Sequence, residues 1–333
     1  MRTLIIAEAG VNHNANLDIA FELVDQACNA KADIIKFQTF VPSEIVTKYG
    51  LKAKYQNDLN HKNENQLDMI KRISLPLESF NLIQKYCLSK NIEFLTTSFG
   101  PLSTKFIAKL DMKFSKIPSG EITNLPYLEA IANLKNKIIM STGMANIDEI
   151  KKSLDVLYNK GVKKENITLL HCTSEYPAPF ENLNLNALKT LKNVFGLNVG
   201  YSDHSLGIEG SIAAVAMGAT IIEKHFTIDK NLEGPDHKAS LEPKELKLMI
   251  KSIRNIELAF GSYEKKISSG ESANKLIVRK SIVASKDIKK GDIFTEENLT
   301  CKRPGTGISP MKWKKVIGQI SQKNFQVDEF ITL

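Results

Sequence analysis

Residues Asn198–Pro243 contain NVGYSDHSLG (198–207), TIIEKHFTIDKN (220–231) and GPDHKASLEP (234–243). Two short apolar runs, Val199–Tyr201 and Thr220–Ile222, each lead to a histidine, His204 and His225. Runs of this kind read as buried strands. Between them, Leu206–Gly218 is rich in Ala, Val and Ile and reads as a buried crossover helix. A strand–helix–strand unit lays its strands parallel and side by side. The two imidazoles then stand at the same end of neighbouring strands, where they can share a metal ion. Two ordinary polar strand ends are the alternative, against which the nearby Asp203 and Asp236 weigh.

Outward from this unit the pattern repeats. Strand-like runs occur at Leu4–Ala9, Asp33–Phe40, Glu93–Phe99, Lys113–Pro118, Lys137–Thr142, Ile167–Thr173, Asn198–Asp203 and Thr220–Phe226. Helical patterns fill the gaps at Leu17–Ala30, Leu77–Ser89, Leu102–Leu110, Asn124–Ala132, Ile147–Lys160 and Leu185–Val194, with another at Pro243–Phe260. Strands alternating with helices predict a parallel sheet. Eight such strands predict an α/β fold closed as a (β/α)8 TIM barrel.

Each run finishes in polar residues that a buried strand does not need. They are Glu8; Lys36 and Gln38; Thr96, Thr97 and Ser98; Lys116 and Ser119; Ser141 and Thr142; Thr173 and Ser174; Ser202, Asp203 and His204; and Lys224 and His225. Barrel active sites form at the C-terminal ends of the strands. Side chains alternate along a strand, so Lys36 and Gln38 share a face, as do Ser202 and His204. Asp203 and Lys224 point the other way. The long polar segment Val41–Leu75, with Tyr49, Tyr55 and Gln56 inside it, follows the second strand on the same side and reads as a lid.

Composition narrows the class. Hydrophobic residues make up 42% and charged residues 25% of 333, ordinary for a globular protein. The net charge of +8 suits an anionic substrate. Its lysines alternate with acids, and no basic stripe or nucleic-acid motif is present. Cys28, Cys87, Cys172 and Cys301 are scattered without a CxxC pair, which fits free thiols in a reducing, cytoplasmic setting. The opening apolar run is too short for a signal peptide, and no run reaches the ~18 apolar residues of a membrane helix. No phosphate loop, GxGxxG, HExxH or GxSxG motif occurs.

After residue 262 the character changes. Residues 263–275 read as a polar linker, and 276–333 as a second, small unit of β-like runs broken by Gly and Pro. A unit of that size is marginal alone. Its KRPGTG stretch, Lys302–Gly307, presents Arg303 on a fixed loop or makes a plain tight turn.

The motifs IAEAGVNHN (Ile6–Asn14), KFQTF (Lys36–Phe40), KIPSGE (Lys116–Glu121), STGMA (Ser141–Ala145), LHCTSEYPAPF (Leu170–Phe180), GYSDHS (Gly200–Ser205), EKHFT (Glu223–Thr227), GPDHKAS (Gly234–Ser240) and KRPGTG span nearly the whole chain. In this order they resemble the sialic acid synthases and their bacterial relatives that make nonulosonic acids. The resemblance implies a barrel followed by a small antifreeze-protein-like (SAF, β-clip) domain. It also implies a domain-swapped homodimer, with Arg303 of the small domain reaching the sugar in the partner's barrel. The implied reaction joins phosphoenolpyruvate to an open-chain N-acetylated hexosamine and releases phosphate.

The same resemblance places phosphoenolpyruvate on Lys36, Thr97, Lys116, Ser119, Ser141, Ser174 and Ser202. It places a divalent metal, Mn²⁺ before Mg²⁺ or Co²⁺, on His204 and His225, and the sugar on Gln38, Tyr176, Asp236 and Arg303. Glu8 becomes the carboxylate that stabilises positive charge or handles the proton of the attacking water. The expected acceptor is N-acetylmannosamine, giving N-acetylneuraminate. The alternative is a 2,4-diacetamido-trideoxy hexose, giving N,N'-diacetyllegionaminate. A metal-independent aldolase using Lys36, Lys116 or Lys224 as a Schiff base, and a glycan- or ice-binding C-terminal module, are readings of other classes. One departure stands out: TTSFG (96–100) has Ser98 and Gly100 where relatives have Pro and Asp.

Overall fold

A computed structural model describes residues 2–53, 56 and 64–333. The chain divides into two compact units, Met1–Gly261 and Ser262–Leu333. In the first, eight parallel strands form one sheet: β1 (Leu4–Gly10), β2 (Ile34–Phe40), β3 (Glu93–Phe99), β4 (Phe114–Ile117), β5 (Lys137–Ser141), β6 (Ile167–Cys172), β7 (Asn198–Asp203) and β8 (Ile221–His225). The order is β3-β2-β1-β8-β7-β6-β5-β4, with β3 and β4 adjacent, so the sheet curls into the expected barrel.

The helices of this unit are α1 (Leu17–Ala30), α2 (Pro42–Ile45), α3 (Gln66–Ile73), α4 (Ser79–Ser89), α5 (Pro101–Ile107), α6 (Leu125–Ala132), α7 (Ile147–Asn159), α8 (Ala187–Phe195), α9 (Glu209–Ala216) and α10 (Pro243–Ala259). No boundary read from periodicity departs from these by more than three residues. Helix α1 shows why. Asn16 caps its first turn by accepting from the Asp18 and Ile19 amides, and Lys31 ends it in the left-handed region. Between these stops, Ala20, Leu23, Val24, Ala27 and Ala30 recur at helical spacing and are buried.

The seam between β3 and β4 is closed differently from the others. No ladder joins these strands among the described residues. Instead the buried Tyr127 hydroxyl of α6 lies 2.9 Å from the Ser98 carbonyl and 3.3 Å from the Lys116 carbonyl, one on each strand. A single phenol proton shared between two carbonyls bridges the gap that the four-residue β4 leaves.

Six of the polar residues at the strand ends, Thr96, Ser98, Thr142, Thr173, Asp203 and Lys224, do not line the barrel mouth, in keeping with alternation along the strands. The Thr39 and Thr96 hydroxyls bond at 2.6 Å, Thr142 donates to the Leu170 carbonyl, and Ser98 meets Thr104 at 3.0 Å. The expectation that all eight polar ends converge on the mouth therefore holds for the inward residue of each end only. Between β7 and β8, Lys224 pairs with Asp203 at 3.1 Å, both fully buried. Lys224 also donates to the Ser205 carbonyl, while Asp203 accepts from Ser205 and Ser211. These residues directly precede His225 and His204, so the pair ties together the backbones that carry both imidazoles.

In the second unit, α11 (Ser269–Val278) precedes an antiparallel pair, β9 (Ser281–Ala284) and β10 (Leu299–Lys302), and a short α12 (Trp313–Val316). Ile282, Ile288, Phe294, Leu299, Val316, Phe325 and Ile331 form its own apolar core. The segment read as a plain linker differs from expectation. Ser268 and Glu271 make a reciprocal capping box, which starts a helix despite the polar composition. The KRPGTG loop is fastened by the Gly307 amide donating to Ser281 at 2.8 Å.

Breaking the buried Asp203–Lys224 pair on one side leaves an uncompensated charge, which costs about 3–5 kcal/mol. Asp203→Asn is expected to lose stability of that order in chemical denaturation, and Asp203→Leu/Lys224→Met to regain most of it. A loss under about 1 kcal/mol for Asp203→Asn contradicts this role.

Candidate active site

The C-terminal mouth of the barrel encloses a cavity of about 440 Å³, within the usual range of small-molecule sites. Every strand contributes. Glu8, Lys36, Gln38, Thr97, Lys116, Ser119, Ser141, Ser174, Tyr176, Ser202, His204, His225 and Asp236 all line it. Thus the structure brings together every barrel residue that the resemblance assigns to phosphoenolpyruvate, metal, sugar or catalysis. Arg303 lies in the second unit, where it is exposed. Of the segment read as a lid, Ala53 and Gln56 line the cavity, Tyr49 is exposed, and Tyr55 lies outside the described residues.

At the bottom, four charged groups are buried together. Lys36 Nζ lies 2.8 Å from Glu8 and 3.7 Å from Glu223, and Lys116 Nζ lies 3.6 Å from Glu223. Lys36 also donates to Thr97 at 3.2 Å, and Lys116 to Ser141 at 2.7 Å. Glu223 accepts from Ser202 at 3.1 Å, and Glu8 from Gln38 at 3.1 Å.

Burial acts on all four groups with different outcomes. It raises the Glu8 pKa above the ordinary carboxylate value despite Lys36. Burial would raise Glu223 as well, but Lys116 and Lys36 on either side outweigh it and hold this carboxyl below its usual value. At Lys36, burial is outweighed by Glu223 and Glu8, so the ammonium is held firmly. At Lys116, burial wins over the pull of Glu223 and the pKa falls. The two carboxylates thus have their pKa values pushed apart, Glu8 upward and Glu223 downward.

Glu223 is the residue that sequence reasoning missed. The signal was present: it precedes His225 by two, as Ser202 precedes His204, and so shares its inward face. Cys172 stands in the same relation to Ser174 and also lines the cavity. Asn12 was missed too. Its side-chain amide donates to the Phe226 carbonyl at 2.9 Å and to Ser240 at 3.0 Å, and Ser240 donates to the Asp236 carbonyl. This chain of bonds fixes the loop that presents Asp236.

The two imidazoles lie side by side with ring centroids 5.5 Å apart and planes tilted by 57°, and Tyr176 lies against His204, tilted by 30°, at 4.2 Å. His204 Nδ1 donates to the Thr173 carbonyl at 2.6 Å, which leaves a lone pair on Nε2. His225 Nδ1 is buried without a hydrogen-bond partner among the described residues, with Asp236 3.9 Å away. Burial lowers the His204 pKa to about 4 and the His225 pKa well below its ordinary value. Burial, then the charge of Glu8, raises Asp236 to about 7. Two neutral imidazoles with an orphaned ring nitrogen fit a divalent cation that takes its remaining ligands from oxygen. Among the described residues, no group of three or more His, Cys, Asp or Glu side chains forms a cage by itself.

Two glycines shape the rim. A Cβ at Gly143 would lie 2.3 Å from Ser174 Oγ, 2.8 Å from Ser119 Oγ and 2.9 Å from Cys172 Sγ. The Gly143 amide donates to Ser119 at 3.0 Å, so the missing side chain leaves a cradle of small polar groups. Gly100 has φ +93°, and its Cβ would press on Glu44 at 3.0 Å. The Glu44 carboxylate accepts from the Leu102 amide at 2.9 Å and so caps α5 from α2. The cap of α5 thus comes from Glu44, and Gly100 leaves room for it.

The fold and cavity define a (β/α)8 barrel with a buried, charge-paired site at its C-terminal mouth. The chain belongs to the NeuB family, which matches residues 23–265, and a SAF domain matches residues 279–333. It is 53% identical to N,N'-diacetyllegionaminic acid synthase of Campylobacter jejuni, over 99% of each chain. It is 45% identical to the enzyme of that name from Legionella pneumophila, covering 96% of this chain and 90% of that one. A crystal structure of N-acetylneuraminic acid synthetase from Leptospira borgpetersenii, 33% identical, superposes with a TM-score of 0.71 over 82% of this chain and 90% of that one. The family is thus that of the nonulosonic acid synthases.

Gly143→Ala fills the cradle and is expected to weaken inorganic phosphate binding by about tenfold, the loss of one charge-assisted hydrogen bond. Equal phosphate affinity in calorimetry contradicts a role for the cradle in holding an anion.

Proposed function

We propose that this protein condenses phosphoenolpyruvate with an open-chain, N-acylated amino sugar and water, giving a nine-carbon 2-keto acid and phosphate. The observation that carries the reading is the pair of buried lysines held apart by Glu223, among the Ser and Thr hydroxyls at the strand ends. Phosphoenolpyruvate carries a phosphate and a carboxylate, and charge-assisted bonds to such groups are the strong ones. Lys36, Lys116, Thr97, Ser141 and Ser202 supply the donors, with Ser119 and Ser174 at the cradle beside Gly143.

A divalent cation, Mn²⁺ by our reading, would be held by His204 and His225 and would supply Lewis-acid polarisation of the sugar aldehyde. The methylene carbon of phosphoenolpyruvate bonds to the aldehyde carbon, and the aldehyde oxygen takes a proton. Positive charge develops on the phosphate-bearing carbon. Water adds there, and as the carbon–oxygen bond to phosphate breaks the remaining hydroxyl proton leaves with the phosphate, giving the ketone. Glu8 faces this charge and takes the water's proton; its raised pKa makes it a stronger base than a surface carboxylate. Gln38 holds Glu8 in place, and Tyr176 and Asp236 hold the sugar. Arg303 of a second copy, in a domain-swapped homodimer, completes the sugar site in this reading.

Two of the relatives favour the diacetylated, trideoxy acceptor over N-acetylmannosamine. A Schiff-base aldolase finds one point in its favour, the lowered pKa of Lys116. Lys224 is unsuited to that role, fully buried against Asp203.

Phosphate release is expected only when phosphoenolpyruvate and the sugar are both present, to vanish on chelation and to return with Mn²⁺. Glu8→Gln is expected to lose about 10²–10³ in kcat. Full activity after chelation, or a borohydride-trapped pyruvate adduct, contradicts the proposal.

A further inference from the structure

The cavity has two unlike sides. Over β6–β8 it is polar, formed by Tyr176, His204, His225 and Asp236. Over β1–β3, above Glu8, Lys36, Gln38 and Thr97, it is mostly apolar, with Gln56 as a polar exception. Val11 follows β1, Phe40 ends β2, Ile45 comes from α2, and Met69, Ile70 and Ile73 come from α3. These six residues belong to an apolar cluster separate from the barrel core. None carries a hydrogen-bonding side chain. Helix α3 turns Met69, Ile70 and Ile73 to this cluster and leaves Asp68 and Lys71 exposed outside it. The wall is also anchored: the Glu44 cap on α5 pins α2, and with it Ile45, to the barrel.

An acceptor whose aldehyde lies between the imidazoles extends its far end over the mouth. Against the apolar wall a hydroxyl loses its hydration without gaining a partner, whereas a methyl gains by leaving water. We infer that the wall made by Val11, Phe40, Ile45, Met69, Ile70 and Ile73 is the specificity element for the acceptor, taking the deoxygenated, methyl-bearing end of the sugar. The inference rests on the synthase reading above. It goes further by naming the residues that distinguish a 6-deoxy, twice N-acetylated hexose from N-acetylmannosamine. The first replaces a hydroxyl by an acetamido group and a hydroxymethyl by a methyl. A hydrophobic pocket discriminates one such group by about 10-fold or more.

The test compares kcat/KM for 2,4-diacetamido-2,4,6-trideoxymannose and N-acetylmannosamine, with Mn²⁺ and saturating phosphoenolpyruvate. The wild-type protein is expected to prefer the first sugar by at least about 10-fold. Met69→Gln is similar in size and adds hydrogen-bonding groups to the wall. It is expected to reduce that preference about 10-fold, through loss on the first sugar, with the KM for phosphoenolpyruvate unchanged. Because Met69 is buried, Ile45→Gln at a half-buried position provides a second reading should Met69→Gln fold poorly. Met69→Leu is expected to keep the wild-type ratio. A wild-type protein that turns over both sugars equally overturns the inference while leaving the synthase reading intact. So does an unchanged ratio in folded Met69→Gln and Ile45→Gln. Turnover of neither sugar overturns both.

Discussion

Glu223 stands between two buried ammonium groups, and the arrangement of the barrel mouth follows from that contact. A lysine taken out of water loses its charge unless an anion faces it. Burial does lower Lys116, and Glu223 is the largest influence opposing it; Glu223 and Glu8 together keep Lys36 charged. With both ammonium groups in place, the charges that the proposed condensation needs are already fixed before an anion enters. In that proposal the second carboxylate, Glu8, serves as the proton carrier. On this account the positive charge of the cavity is organised by an acid.

The strands extend the same logic outward. Inward positions at consecutive steps of two, Lys36 and Gln38, Ser202 and His204, Glu223 and His225, give the cavity two layers, which the proposed function assigns to the anion below and the sugar above. The outward positions between them, above all Asp203 and Lys224, fasten the strands to one another. The imidazoles are therefore placed by backbone register and a buried ion pair. The apolar wall on the β1–β3 side makes the upper layer asymmetric, opposite Tyr176, His204, His225 and Asp236.

Much of this could be read from residues alone, because the barrel repeats one rule eight times. Apolar runs gave the strands, and polar ends marked the mouth. Glu223 was passed over because EKHFT draws attention to its histidine, although alternation from His225 points straight to it. The capping of α5 by Glu44 could not be read, since it joins residues 58 positions apart whose proximity depends on the closed barrel. The helix α11 was hidden by composition: serines and lysines read as linker, yet Ser268 and Glu271 had the spacing of a capping box. The apolar wall was hidden too, because Val11 and Phe40 follow or end strands far apart in sequence, while Ile45, Met69, Ile70 and Ile73 lie on two helices inside a segment read only as a lid.

The most direct test is the affinity of Glu223→Gln for phosphoenolpyruvate, measured by calorimetry at pH 8 without sugar. If Glu223 were only a negative charge near an anion site, its removal would tighten binding. The account predicts the opposite sign: Lys116 loses its proton and binding weakens by about tenfold or more, the equivalent of one charge-assisted contact. Unchanged or tighter binding would contradict it.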